Sequence, residues 1–509
     1  MFAITTRREF LRNTALGSAA FGLGDLGFLS QLPRVSAAEA SPNPAIVRLH
    51  PEIEATVQLL EVTPRAQVVE EVASRVRAGK LSYREVVAAL QLAGVRNVQP
   101  RPSVGHKFHA VLVVNSAHIA SLSSPDEHRW LPIFWAIDNF KESQSADVRE
   151  GNWTMAPVDE SAVPPSHKAH QAFIQAMDNW DEAAADAAVA GLARSSSVNE
   201  VFELFYRYGC RDFRSIGHKA IYVTNARRTL ECIGWHHAEP ILRSLAYALL
   251  MHDGQNPAQN DLPADRYGRR NAELANTLRE DWRRGTLEDS ATLEMSAALR
   301  QESAEDCCRH AVETMNRGVA AQSIWDALFL TASELVMRQP AIVPLHAVTS
   351  TNALRYAFAS TSDDHTRRLL LLQNVAFVVA FREAAQGRGN LQDGRLDTLE
   401  PAATSDSGSA AVPEIFADLS GQPQTAAKKV LHFLNNQGDP KQLIDAARVL
   451  VFLKGSNAHD YKYSSAILED YYHVSPGWRN RCLAGGVFLL RGSGAGDNKL
   501  VQRTRAALA

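Results

Sequence analysis

Apolar residues recur along most of this chain at helical spacing and almost nowhere alternate one-for-one with polar ones. In residues 67–76, Val68, Val69, Val72 and Val76 share one face of a predicted helix, and Gly79 closes it. Ser82 caps a second helix over residues 83–93. A proline-bearing break at 99–105 follows, and then a third helix from His109. Ser124-Pro125-Asp126-Glu127 opens a fourth, with Ser at the cap, Pro at the first helical position and Glu three residues beyond the Ser. The main run with strand character, residues 111–114, lies inside the third segment, where the recurrence described next argues for helix.

That order comes back three times. Residues 184–193, a serine turn and 199–205 lead to Gly217-His218. Residues 307–317, Gly318 and 323–328 lead to Pro344-Leu345-His346. Residues 428–435, Gly438 and 442–446 lead to Ser456-Asn457-Ala458-His459. The agreement predicts an all-α protein of four tandem repeats, each roughly 110–130 residues and about four helices. The predicted repeats cover 64–180, 181–300, 301–424 and 425–509. Segments 141–170 and 253–290 are expected as long loops, the second with a helix near 271–284, and 387–424 as a flexible loop. A closed ring, α/α toroid-like, is favoured over an open solenoid.

The beginning of the chain departs from this pattern. Thr6-Arg7-Arg8-Glu9-Phe10-Leu11-Arg12 resembles the twin-arginine export signal. A mildly apolar run and Val35-Ser36-Ala37 follow, reading as a small-residue cleavage site. The resemblance implies a signal peptide over 1–37, an extended leader over 38–63, and a protein exported to the periplasm or another extracytoplasmic space. The twin-arginine route carries folded proteins, often with a cofactor already inserted. The apolar run is too rich in Gly and Ala for a lasting span, so no membrane span is expected in the mature chain.

Composition narrows the chemistry by exclusion. A net charge of -3 gives no electrostatic case for nucleic acid. Five cysteines, irregularly spaced and without CxxC or CxxCH, exclude a disulfide framework, a zinc motif and covalent haem. Cys307-Cys308 reads as a packed helical pair. The chain also has no GxSxG, GxxxxGK[ST] or HExxH, and no GxGxxG following a strand.

Histidines mark the repeats. A first tier, His109, His218, His346 and His459, begins the third segment of each. A second tier follows nineteen residues later at His128, His237 and His365, and Trp478 holds that place in the last repeat. All seven are candidate ligands for a transition metal (Fe, Mn or Zn), because neutral imidazole is the commonest metal ligand. Helix geometry puts the two histidines of one repeat ~15–20 Å apart, so a shared ion requires equivalent histidines from different repeats to converge. Only a closed ring allows that. Carboxylates at Asp126, Glu127, Glu239, Asp363 and Asp364 are expected to complete the ligand set. The competing reading gives the histidines only hydrogen bonds between repeats.

Asn115, Asn225 and Asn352 follow the first tier and are expected to bond neighbouring helices. Glu203, Asp326 and Asp445 are read as exposed helix charges or acids facing an axial cavity. Arg228, Arg243, Arg355, Arg367 and Arg368 are read as helix-surface residues, and His106 and His236 as supplementary ligands.

The segments His346-Ala347-Val348-Thr349 and Gly217-His218-Lys219 resemble those of the questin oxidase-like family. The resemblance implies oxygen insertion into polycyclic aromatic ketones and supplies no residue assignment. The function expected is a metal-dependent oxidoreductase acting on a small organic substrate. The alternatives are a non-catalytic helical scaffold and a zinc-dependent hydrolase.

Overall fold

The computed structural model describes residues 46–47, 49–101, 107–252 and 254–509. The twin-arginine motif, the small-residue site and His106 lie outside them. The described chain is all-α, and its one strand-like pairing there is an isolated bridge between Thr286 and Val319.

The helices run α1 Pro51–Val62, α2 Arg65–Arg77, α3 Tyr83–Asn97, α4 His109–Leu112, α5 Val114–Leu122, α6 Leu131–Arg149 and α7 Ser166–Asp178. Then come α8 Glu182–Ser195, α9 Val198–Gly209, α10 His218–Ile233, α11 Ala238–Leu249, α12 Pro263–Leu274, α13 Asp289–Gln301 and α14 Ala304–Asn316. The remainder are α15 Ala321–Arg338, α16 Ile342–Ser360, α17 Asp364–Gln386, α18 Ala411–Asp418, α19 Pro423–Asn435, α20 Pro440–Lys454, α21 Ala458–Asp470, α22 Arg479–Gly486 and α23 Lys499–Leu508.

Local chemistry explains many of the starts. Capping boxes open α3 (Ser82 with Glu85), α9 (Ser197 with Glu200) and α21 (Asn457 with Asp460); in each the cap side chain accepts from the third residue's N–H and that residue's carboxylate accepts from the cap's own N–H. Asp363 caps α17 through the Thr366 N–H.

Several expected loops are helical. The expected leader ends in α1, whose apolar face (Ile53, Val57, Leu60) is buried. Residues 141–149 continue α6, and 166–178 form α7. The helix expected near 271–284 lies earlier, at α12, because Pro263 starts it. Residues 126–128 make only a 3₁₀ turn, and α6 starts at Leu131. The 387–424 segment contains α18 and has fixed contacts near Leu396. Leu396 is fully buried, its N–H donates to Glu334, and Arg481 donates to the Leu396 and Leu399 carbonyls.

The packing is regular. α2 packs on α6, α8 on α11, α14 on α17 and α19 on α22. α3 packs on α11, α9 on α17, α15 on α22 and α20 on α6. A further set of helices packs in sequence, three of them bearing first-tier histidines and α5 following the one that bears His109: α5 on α10, α10 on α16, α16 on α21 and α21 on α5. α23 lies against α2, where Arg503 pairs with Glu70. Among the described residues one helix, α17, is long and apolar enough to cross a membrane; 83% of its apolar window is buried inside the protein.

Candidate metal centre

The four first-tier histidines sit in the first or second turn of α4, α10, α16 and α21. The helices run parallel. Their histidines meet at one level, and residues six or seven positions further on meet at the next. At that lower level, Asn115 Nδ2 donates to Asn225 Oδ1 (3.2 Å) and Asn225 Nδ2 to the Leu112 carbonyl (2.9 Å). Thr224 Oγ1 donates to the Ala353 carbonyl (3.0 Å), and Ser465 Oγ to the Ser116 carbonyl (3.0 Å). Asn352 Nδ2 reaches further along α21, to Asp470 Oδ1 (2.7 Å) and Glu469 Oε2 (2.9 Å). The three asparagines bond neighbouring helices, as expected.

The histidine level is compact. His346 Nε2 lies 2.9 Å from His218 Nε2, and His218 Nε2 lies 3.3 Å from His109 Nε2. The His459 ring is 4.6 Å from that of His109 and 5.3 Å from that of His346, centroid to centroid. His109, His346 and His459 each offer a ligand nitrogen, all within 4.8 Å of one another, so the group could hold a metal ion. Nitrogens bound to one ion at about 2.1 Å stand roughly 3.0–3.4 Å apart in octahedral or tetrahedral geometry.

Two tautomers follow from the neighbours. His218 Nδ1 meets the Ser215 carbonyl and His346 Nδ1 the Ile342 carbonyl, both at 2.7 Å. A carbonyl oxygen only accepts, so both Nδ1 atoms carry the proton and donate it. In the neutral rings, both Nε2 lone pairs then point at each other across 2.9 Å. That contact is repulsive unless a proton or a cation relieves it, and Lys462 Nζ, 3.3 Å from His218 Nε2, is one group placed to do so. Burial holds His109, His218 and His346 well below the usual imidazole range, and the Lys462 charge and the neighbouring histidines add to this. Neutral rings are the ligand form.

His218 is aimed by a strained turn. Ser215 (φ 58°), Ile216 (φ 45°) and Gly217 (φ 78°) are three successive left-handed residues, and a branched side chain at Ile216 makes this costly. Gly217 is required there, since a Cβ would collide with the Ser350 hydroxyl. Strain at such a turn is characteristic of functional sites.

Lys462 has no counterpart in the sequence pattern. It lies one turn beyond His459 on α21, is buried, and places Nζ 3.3 Å from His218 Nε2. Burial lowers its pKa to about 7. Below it a void of about 20 Å³, lined by Asn115, Asn225, Asn352, Lys462 and Ser465 among others, has room for about one water.

No family model, curated protein or solved structure matches this chain.

The second-tier histidines have separate surroundings. His128 sits beside Glu127 (3.3 Å) and Arg505 (3.4 Å). His237 packs on His236 (3.9 Å between centroids) and faces His50 (6.3 Å). His365 is exposed at the start of α17. Among the described residues nothing gathers these three into a metal-sized group. Each begins, or just precedes, the outgoing helix of its hairpin, away from the level where the first tier meets.

The expected carboxylate ligands are engaged locally instead. Asp126 pairs with Arg129, Glu239 with Arg194 and Asp364 with Arg368, while Asp363 caps α17. Glu203 accepts from the Ser362 N–H and hydroxyl, Asp326 from the Ser475 N–H, and Asp445 pairs with Lys441. Of the arginines read as surface residues, Arg243 is fully buried against Asp186. Cys307 and Cys308 are buried free thiols.

Proposed function

We propose that the four helical segments are repeats closed into a ring whose axis carries one transition-metal ion on His109, His346 and His459, with His218 as a fourth nitrogen. The packing that runs α5, α10, α16, α21 and back to α5 supports the closure, as does the contact of α20 with α6. The observation that carries the metal reading is the pair of opposed Nε2 lone pairs of His346 and His218 at 2.9 Å, which a shared cation would satisfy.

The donor set is imidazole alone, which suits iron or zinc better than manganese. The helix N-termini at this level and Lys462 add positive potential, so a bound cation there favours an anionic co-ligand, such as an oxyanion of the substrate. On this basis the protein acts as a metal-dependent oxidoreductase on a small organic molecule. The His346-Ala347-Val348-Thr349 segment, which carries the questin oxidase-like resemblance, supplies one ligand. A hydrolytic zinc site uses the same histidine donors and is the second reading.

Metal analysis of the purified chain tests the centre. One ion per chain is expected, with loss in His109→Ala, His346→Ala and His459→Ala and retention in His128→Ala and His365→Ala. Absence of stoichiometric metal, or its retention in the first three variants, overturns the proposal. Reversible oxidation of the bound ion separates the oxidoreductase from the zinc hydrolase. Export rests on the twin-arginine motif, and Arg7→Lys with Arg8→Lys is expected to hold the protein in the cytoplasm.

A further inference from the structure

The segment that aims His218 begins in the wall of a cleft. Cys210 and Arg211 line a space of about 380 Å³ together with Trp180, Arg207, Tyr208 and Leu369. That volume falls in the range of about 300–1,000 Å³ usual for small-molecule sites. Trp180 is held in the left-handed region (φ 56°), a rare conformation for an aromatic residue. Its ring carries the Arg211 guanidinium at 3.9 Å, with Arg214 and Lys219 each at 5.0 Å.

The carboxylates nearby are mostly committed. Both oxygens of Asp265 accept from Arg214 (3.2 and 2.7 Å). Asp212 takes Lys219 (2.8 Å), and Asp178 accepts from the Tyr208 hydroxyl (2.9 Å). Arg211 donates through Nη1 to the Met177 carbonyl (2.7 Å), while its Nε and Nη2 are buried without a hydrogen-bond partner among the described residues. The closest approach of Asp212 to Arg211 is 4.0 Å. Arg207 is exposed, stacks on Tyr208, and makes no ion pair among the described residues. A third guanidinium in the wall, Arg269, is committed to Asp261, so Arg207 and Arg211 are the two that no carboxylate hydrogen-bonds among the described residues, beside the apolar Ala272 and Leu369.

A buried donor without an acceptor is costly, and guanidinium is shaped to take a carboxylate in a fork. We propose that this cleft binds a small organic carboxylate with an apolar body, its charge on Arg207 and Arg211 and its body against Tyr208, Ala272 and Leu369. With Arg269 held by Asp261, the two remaining guanidinium groups and the apolar wall suit one carboxylate better than a phosphate dianion. The site stands independently of the metal centre and is tested without metal.

Isothermal titration of 2-naphthoate into the metal-free full chain is the experiment, with inorganic phosphate and the uncharged 2-naphthylmethanol as comparators. Saturable one-to-one binding of naphthoate is expected, at least tenfold tighter than either comparator. Arg207→Ala, a change at an exposed side chain, is expected to weaken it at least tenfold with the melting temperature unchanged, and Ala272→Trp to block it. Absence of saturable binding, equal binding of either comparator, or unaltered binding in Arg207→Ala overturns the proposal.

Discussion

His346 Nε2 and His218 Nε2 approach to 2.9 Å while the opposite nitrogen of each ring donates to a backbone carbonyl. Residues 128 positions apart are thereby set in one geometry by the start of α16 and by the left-handed turn before α10. Both carbonyls act as orienting partners of the kind that fix the tautomer of a metal-ligating histidine.

Lys462 places a cation 3.3 Å from His218 Nε2, where it competes with a metal ion for the same lone pair. Lys462→Met keeps the apolar stem and removes the charge. Metal affinity is expected to rise about tenfold, equivalent to ~1.4 kcal/mol, by competition with a metallochromic chelator. An unchanged or weaker affinity would show that the amine does not oppose the metal.

Ile216 inverts the usual order of substitutions. Truncating a half-buried isoleucine to Gly normally costs more than truncating it to Ala. At φ 45° a Cβ is itself the source of strain, so Ile216→Gly is expected to be about 1 kcal/mol more stable than Ile216→Ala by urea denaturation. The freed turn is also expected to bind metal more weakly, because the Ser215 carbonyl no longer holds His218.

Asp470 is buried, accepts from Asn352 at Oδ1, and is pushed well above the usual carboxylate range, first by burial. A carboxyl whose folded pKa exceeds its unfolded value of about 3.9 binds more protons folded than unfolded, so stability falls as pH rises from that value toward the folded pKa. Asp470→Asn removes this dependence. It is expected to match wild type near pH 3.5 and to exceed it by about 1 kcal/mol at pH 7 in melting experiments. Lower stability of the variant at pH 7 would mean that the ionised form is the one the fold uses.

Arg243 joins α11 to α8 through both oxygens of Asp186 (2.7 and 2.9 Å), with a further bond to the Ala156 carbonyl. Removing one partner strands a buried charge, so Arg243→Ala is expected to cost about 3–5 kcal/mol. The double variant Arg243→Met with Asp186→Leu is expected to recover most of that loss. A loss below 1 kcal/mol in the single variant would place the pair in solvent.

Much of the helical order could be read from spacing alone. The starts at Ser82, Ser197, Asp363 and Asn457 follow from cap chemistry, which is local. Residues 51–62, read as part of an extended leader, and 166–170, read as the end of a loop, lie in helices held by tertiary burial of a modest apolar face, and polar composition conceals that. At the site, first- and second-tier histidines carry the same signature, each opening a segment, so nothing local distinguishes those that meet from those that do not. The nearby acids looked like ligands because they are close in sequence, yet local partners take them. Lys462 and Ile216 occur once each and leave no periodic trace.

The chain by itself determined the all-helical class, much of the helical order and the spacing of the seven histidines, because helical periodicity, caps and turns act over a few residues. Tertiary structure decided which histidines meet. The separation of residues such as 109 and 459 depends on how α4 with the following α5, α10, α16 and α21 pack, and that is settled by apolar burial summed over the whole chain rather than by any spacing within it.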